Sequence, residues 1–180
     1  MLLRAQDGAT AAFTAPFELW APPSADPAGL VDSLVAHTLR DRRLGVLLAR
    51  RGGYAVAVAD GPAIGPSKVG TRYVQGRTAA GGWSQQRFAR RRDNQTTDLV
   101  GAATEQALRL LVPALPLEGL VTGGDGRLIE RVLADPRLKP LAGLPRWAHL
   151  AVGDPRTDVL REVPVQVRKV RIDLTDPPSR

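Results

Sequence analysis

Two apolar runs, Leu44 to Ala49 and Tyr54 to Ala59, are separated only by Arg50-Arg51-Gly52-Gly53. Runs of this length, rich in Val, Leu and Ala, read as strands, and the glycines between them supply a tight reversal. The middle of the chain is therefore committed to an antiparallel hairpin. Whatever else folds must build outward from that pair.

On the N-terminal side, Phe13 to Trp20 reads as a short strand closed by Pro22-Pro23-Ser24-Ala25-Asp26-Pro27. Asp26 is placed to cap a helix that has Pro27 at its first position and Leu30, Leu34, Val35 and Leu39 at helical spacing. On the C-terminal side, Lys68 to Val74 is a third strand, and a long helix runs from about Gln85 to Leu111, stopped by Pro113. A strand at Leu117 to Val121, a turn at Gly123-Gly124-Asp125-Gly126, a helix at Arg127 to Ala134 and a strand at Trp147 to Val152 follow. Asp158 to Glu162 begins a last helix, and Val163 to Leu174 alternates like a strand. No internal repeat occurs.

This order gives an α/β fold: an antiparallel meander followed by βαβ units, with helices packed on a mixed sheet. It matches the ribonuclease H-like arrangement, with an N-terminal strand and helix as an addition. One domain is expected over residues 1–174, with a core at about 43–152 and a disordered tail at 175–180. At 180 residues and 43% hydrophobic, the chain can bury one sizeable core.

The formal charge is +7, and with lysine only at Lys68, Lys139 and Lys169, 22 of the 25 basic residues are arginine. Arginine forks onto phosphate and stacks on bases, which suits RNA. An arginine-, alanine-, glycine- and proline-rich chain is also what a GC-rich genome encodes, but that does not explain clustering. Cysteine is absent, which excludes disulfides, thiolate catalysis and cysteine zinc sites. His37 and His149 lie far apart in apolar surroundings and are expected to be packed or surface residues, so no metal site is expected. No run of 18 uncharged apolar residues occurs, so a soluble, cytoplasmic protein is expected with no membrane partner.

The clustering centres on Gly81-Gly82-Trp83-Ser84-Gln85-Gln86-Arg87-Phe88-Ala89-Arg90-Arg91-Arg92. Phe88, Leu99, Ala103 and Leu110 share one stripe of the following helix, while Arg87, Arg90 and Arg91 point away from it and Arg92 lies near its edge. A solvated face would account for the arginines alone. A glycine pair directly before them, free to approach another backbone closely, makes a phosphate-facing surface the better reading.

This segment resembles the Gly-Gly-Gln-Ser-Ala-Leu-Arg-Phe-Ala-Arg-Leu-Arg signature in the middle domain of eukaryotic and archaeal class I peptide release factors. Gly81, Gly82, Ser84, Arg87, Phe88, Ala89, Arg90 and Arg92 match in register. Trp83 stands where the release factors have glutamine. The chain is most similar to the Vms-like release factors of ribosome-associated quality control, whose glutamine is displaced, and its composition points to an actinobacterial source.

The resemblance implies hydrolysis of the ester joining a nascent peptide to tRNA on stalled ribosomes or large subunits, without codon reading. Gln85 or Gln86, with Gln85 nearer the glycines, would be catalytic; Gly81, Gly82, Trp83 and Ser84 would position the loop; Arg72, Arg77, Arg87, Arg90, Arg91 and Arg92 would bind RNA. Trp83 could stack on a base or pack on its own domain. The partners implied are the large ribosomal subunit and peptidyl-tRNA, with the protein a monomer and no metal or organic cofactor. A glutamine amide cannot serve as general base near neutral pH, but it can orient a water while backbone N–H groups stabilise developing charge.

Two other readings remain open. A non-catalytic RNA- or ribosome-binding module would use the same arginines and be indifferent to loss of both glutamines. A metal-dependent nuclease would need converging carboxylates, for which Asp60, Asp125 and Asp154 fall near element ends.

Overall fold

The computed structural model describes residues 1–17, 26–71 and 84–176, with backbone alone for 84–93. In chain order the elements are β1 (Leu2–Arg4), β2 (Thr10–Thr14), α1 (Pro27–Leu39), β3 (Arg43–Arg50), β4 (Gly53–Asp60), β5 (Ala63–Thr71) and α2 (Ser84–Leu110). Then come β6 (Gly119–Gly124), α3 (Gly126–Leu133), a 3-10 turn (Pro136–Leu138), α4 (Lys139–Ala142), β7 (Arg146–Leu150), α5 (Thr157–Gln166) and β8 (Arg171–Thr175).

The predicted hairpin is the centre of a five-stranded sheet ordered β5-β4-β3-β6-β7. β3 pairs antiparallel with β4, and β4 with β5; β6 joins β3 in parallel, and β7 joins β6 in parallel. The expected α/β class with a mixed sheet is therefore what the chain forms. β3 is buried on both faces, from Leu44 to Ala49, which is why its sequence reads as a continuous apolar run rather than an alternation. Leu47 and Ala49 face one core, built with Leu99, Ala103, Ala107 and Leu111 of α2 and with α3 and α4. Leu44, Val46 and Leu48 face the other, built with Leu160, Val163 and Val167. Leu99 and Ala103 thus occupy the buried stripe expected of the long helix; Leu110 is only partly buried, and Phe88 lies where side chains are not described.

Asp26 caps α1 as expected, accepting from the Gly29 N–H at 3.0 Å, with Pro27 in the first turn. The N-terminal addition is larger than one strand. β1 and β2 pair antiparallel and β8 pairs on the other side of β2, giving a separate three-stranded sheet. Of the strand expected at Phe13 to Trp20, residues 18–20 lie outside the described ones; the described strand runs earlier, Thr10–Thr14, and Phe17 has left it with a positive φ of 61°. A cavity of about 300 Å³ between α1 and this sheet is lined mainly by apolar side chains, Val31, Val35, Leu39 and Ile172 among them.

Four further expectations are corrected. The third strand begins at Ala63, not Lys68, and its described part ends at Thr71. Pro66 lies inside it, tolerated because β5 is an edge strand with one side free of ladder bonds. Gly123 and Gly124 end β6 rather than forming a turn, and Asp125 caps α3 by accepting from the Arg127 N–H at 3.0 Å. Val163 to Leu174 is not one strand: α5 continues to Gln166, because Leu160, Val163 and Val167 recur at helical spacing and are all buried. The tail does not start at residue 175, since Thr175 pairs with Thr10; residues 177–180 lie outside the described ones.

Candidate functional site

β5 delivers the chain to Thr71, and α2 takes it up at Ser84. Arg72, Arg77, Gly81, Gly82 and Trp83 fall between these points, outside the described residues. Ser84, Gln85, Gln86 and Arg87 form the first turn of α2, so the backbone at the two glutamines is helical. The N–H groups of a first turn have no acceptor within the helix, and they mark the positive end of its dipole. Arg87, Arg90 and Arg91 follow at i, i+3 and i+4, one helix face by spacing, with Arg92 one step round. Their backbone is helical; their side chains lie outside the described set, as do those of the glutamines.

The 27 residues of α2 span about 40 Å at 1.5 Å per residue. Leu99 is its first buried residue with a described side chain. Of the described side chains before it, Asn94, Thr97 and Asp98 are exposed and Gln95 and Thr96 half-buried, and fifteen residues, or about 22 Å of helix, separate Leu99 from the start of α2. The motif begins at the far end of that length.

The base from which residue 72 departs is tightly built. Thr71 pairs with Gly53, and Gly70 with Tyr54. The Tyr54 ring lies across Gly70, where a β-carbon would come within 2.4 Å of it. Beside this hairpin, the Asp125 N–H donates to the Ala49 carbonyl at 2.7 Å and closes the gap between β3 and β6. Gly124, at φ 91°, allows the approach: a β-carbon there would sit 2.3 Å from the Ala49 oxygen. Arg50 passes over this glycine and donates to the Val152 carbonyl at 2.9 Å. The carboxyl ends of β3, β5, β6 and β7 share this edge with the β3–β4 turn, which is where open α/β sheets bind their ligands. In the sequence Arg50 and Arg51 carry only a turn signal; their charge is visible there, their neighbourhood is not.

The acidic candidates are scattered. Asp60 pairs with Arg43 at the start of β3, the opposite end of the sheet from Asp125, and Asp154 lies 3.7 Å from Arg156. Among the described residues, no three His, Asp or Glu side chains come together in a metal-holding group. His149 contacts the Thr122 hydroxyl through Nδ1 at 3.0 Å and the Gly124 carbonyl through Nε2 at 3.3 Å. His37 contacts the Pro16 carbonyl at 3.0 Å. Nearby, hydrogen bonding from the Arg146 guanidinium holds the Glu130 carboxyl below the usual carboxylate range.

The family model of the Actinobacteria/chloroflexi VLRF1 release factor matches residues 42–173. That span contains the whole motif, the five-stranded sheet and α2 to α5. Among solved structures, the archaeal translation termination factor aRF1 is similar at 20% identity with a TM-score of 0.45. The match covers 70% of this chain and 36% of that one, so the chain spans about a third of that protein's length. No curated protein matches the sequence.

Proposed function

This chain belongs to the Actinobacteria/chloroflexi VLRF1 release factor family, and on that footing we propose that it hydrolyses the peptidyl-tRNA ester on stalled ribosomes or large subunits. A release-factor-type role follows from the family itself. The finer reading rests on one observation: the Gly81–Arg92 motif falls within the family match, and its part from Ser84 on forms the N-terminal end of α2. The strand order β5-β4-β3-β6-β7, an antiparallel meander extended by parallel crossovers, supports a ribonuclease H-like domain as its frame.

In this reading Gln85, or Gln86 in its place, orients the attacking water. First-turn N–H groups and the backbone at Gly81 and Gly82 offer donors to the oxygen on which charge develops. The helical start of α2 presents the motif to the RNA of the large subunit. Arg72, Arg77, Arg87, Arg90, Arg91 and Arg92 hold phosphates there, and the ribosome completes the site. The protein acts as a single domain and as a monomer, in the cytoplasm. The chemistry draws on amide positioning, so no metal or organic cofactor enters it.

The deciding experiment measures peptide release from purified peptidyl-tRNA–large-subunit complexes. Gln85→Ala combined with Gln86→Ala should lower the rate about 100-fold, the usual cost of losing such a contact, while binding persists. Wild-type release by the double variant would sink the catalytic reading in favour of a binding module. Codon independence is checked with whole ribosomes, where release should not vary with the A-site codon.

A further inference from the structure

We propose that a second set of arginines, Arg50, Arg51, Arg127 and Arg131, forms an RNA-phosphate-binding rim beside the motif. The proposal rests on the ribosomal reading above and adds to it a surface that the motif does not include. Arg50 and Arg51 occupy the β3–β4 turn, whose Gly53 is hydrogen-bond neighbour to Thr71, the residue from which the 72–83 segment leaves. Arg127 opens α3 two residues after Asp125, which is tied to Ala49 next to Arg50. Arg131 follows at i+4 on the same face of α3, and its guanidinium donates to the Thr97 hydroxyl of α2 at 3.3 Å. The rim therefore runs from the turn beside Thr71, across α3, to the flank of α2 that leads back to Arg92.

All four side chains are exposed. None has a carboxylate partner among the described residues, whereas Arg40, Arg137, Arg146, Arg156, Arg168 and Arg171 each have one. Carboxylates adjoining these residues in the chain or through their contacts have other partners: Asp125 caps α3, Glu130 is held by Arg146 and Asp154 lies 3.7 Å from Arg156. Arg50 and Arg131 each spend one donor within the protein and keep others for a phosphate. A series of guanidinium groups without carboxylate partners at one end of the sheet is suited to a phosphodiester backbone, because each contact releases a condensed counterion.

The test is binding of the full chain to purified large ribosomal subunits across a KCl titration. Arg51→Gln with Arg127→Gln should weaken binding and flatten the salt slope by about 2, roughly one per lost phosphate contact. Arg51→Lys with Arg127→Lys should retain most of the slope. Arg4→Gln with Arg109→Gln removes the same charge elsewhere and should leave the slope unchanged. A circular dichroism melt checks that each variant stays folded, as expected for exposed side chains. Repeating the titration with vacant and with peptidyl-tRNA-bearing subunits assigns the rim to ribosomal RNA if both lose slope, and to tRNA if only the second does. An unchanged slope in the Arg51/Arg127 glutamine variant, while Arg87, Arg90 and Arg91 replacements still weaken binding, overturns the rim alone. Equal losses in the Arg4/Arg109 control overturn it as well, by reducing the effect to net charge. No binding by the wild type overturns both the rim and the ribosomal reading.

Discussion

Tyr54 and Gly70 are direct cross-strand partners, and the tyrosine ring occupies the space that any side chain at position 70 would need. A β-carbon at Gly70 would lie 2.4 Å from the ring's Cζ, and Tyr54 is buried in the core shared with α2. The pair seals the edge strand one residue before the chain leaves toward the motif. Gly70→Ala should therefore force the ring out of place and cost about 1–3 kcal/mol, the range for overpacking a filled site. Gly101→Ala is the matched control: that helical glycine has nothing within 4 Å of its would-be β-carbon and should gain about 0.5–1 kcal/mol. Urea denaturation of both variants measures the contrast; equal stability of the two would contradict the packing.

Arg42 should matter more for stability than any exposed arginine. It is 5% exposed, its guanidinium lies 4.1 Å from the Phe17 ring centroid, and it donates to the His37 carbonyl at 2.8 Å and the Arg40 carbonyl at 3.1 Å. Phe17 in turn meets Trp147 edge to face at 5.9 Å. Arg42→Ala leaves two carbonyls short of a donor and removes the stack, an expected loss of about 2–4 kcal/mol. Arg42→Lys should recover only part of it, since an ammonium cannot reproduce the planar fork. Recovery of full stability by lysine would show that charge alone suffices.

The acid limb of stability should carry a contribution from Asp135. Hydrogen bonds from the Arg137 side chain and backbone hold its carboxyl down at about 2, against an ordinary 3.8. A depressed carboxyl stabilises the fold fully above its unfolded value and loses that contribution as pH falls through the folded one. The stability difference between wild type and Asp135→Asn should therefore be constant above about pH 5 and shrink between pH 4 and 2. Denaturation curves across that range check it; a difference independent of pH would mean that only the neutral cap geometry matters. Salt should reduce the effect, as the pair faces solvent.

Gly82→Val is expected to impair peptide release while leaving the melting temperature within a degree or two. A β-branched residue denies the backbone its close approach to RNA, while a glycine carries no side chain for a core to lose. Release assays and a thermal melt on the same preparation separate the two effects. Loss of the fold in this variant would make the glycine a structural turn residue and leave the catalytic case on the glutamines.

Much of the fold was legible because its signals are local. The β3–β4 hairpin, the Asp26–Pro27 helix start and the length of α2 each follow from a few adjacent residues, whose backbone preferences and apolar spacing agree with the final packing. The motif, too, was legible, and the family match encloses it. The misreadings came where short-range pattern was ambiguous. Val163, Val165 and Val167 alternate like a strand, but only contact with the sheet distinguishes Val163 and Val167, which are buried, from Val165, which is exposed. Phe13 to Trp20 reads as one extended run until Phe17 turns aside to meet Arg42 and Trp147.

By itself, then, the sequence determined the α/β class, the positions of the central strands and the basic segment that gives the chain its functional direction. These are properties of neighbouring residues, set by steric preference and periodicity. Tertiary structure alone decided that β8 returns to pair with β2, that Tyr54 covers Gly70, and that Arg51 and Arg127, 76 positions apart in the chain, follow strands β3 and β6 at the same end of the sheet. Such contacts depend on which strands become neighbours. That choice is made when two apolar faces are buried at once, and no single stretch of sequence records it.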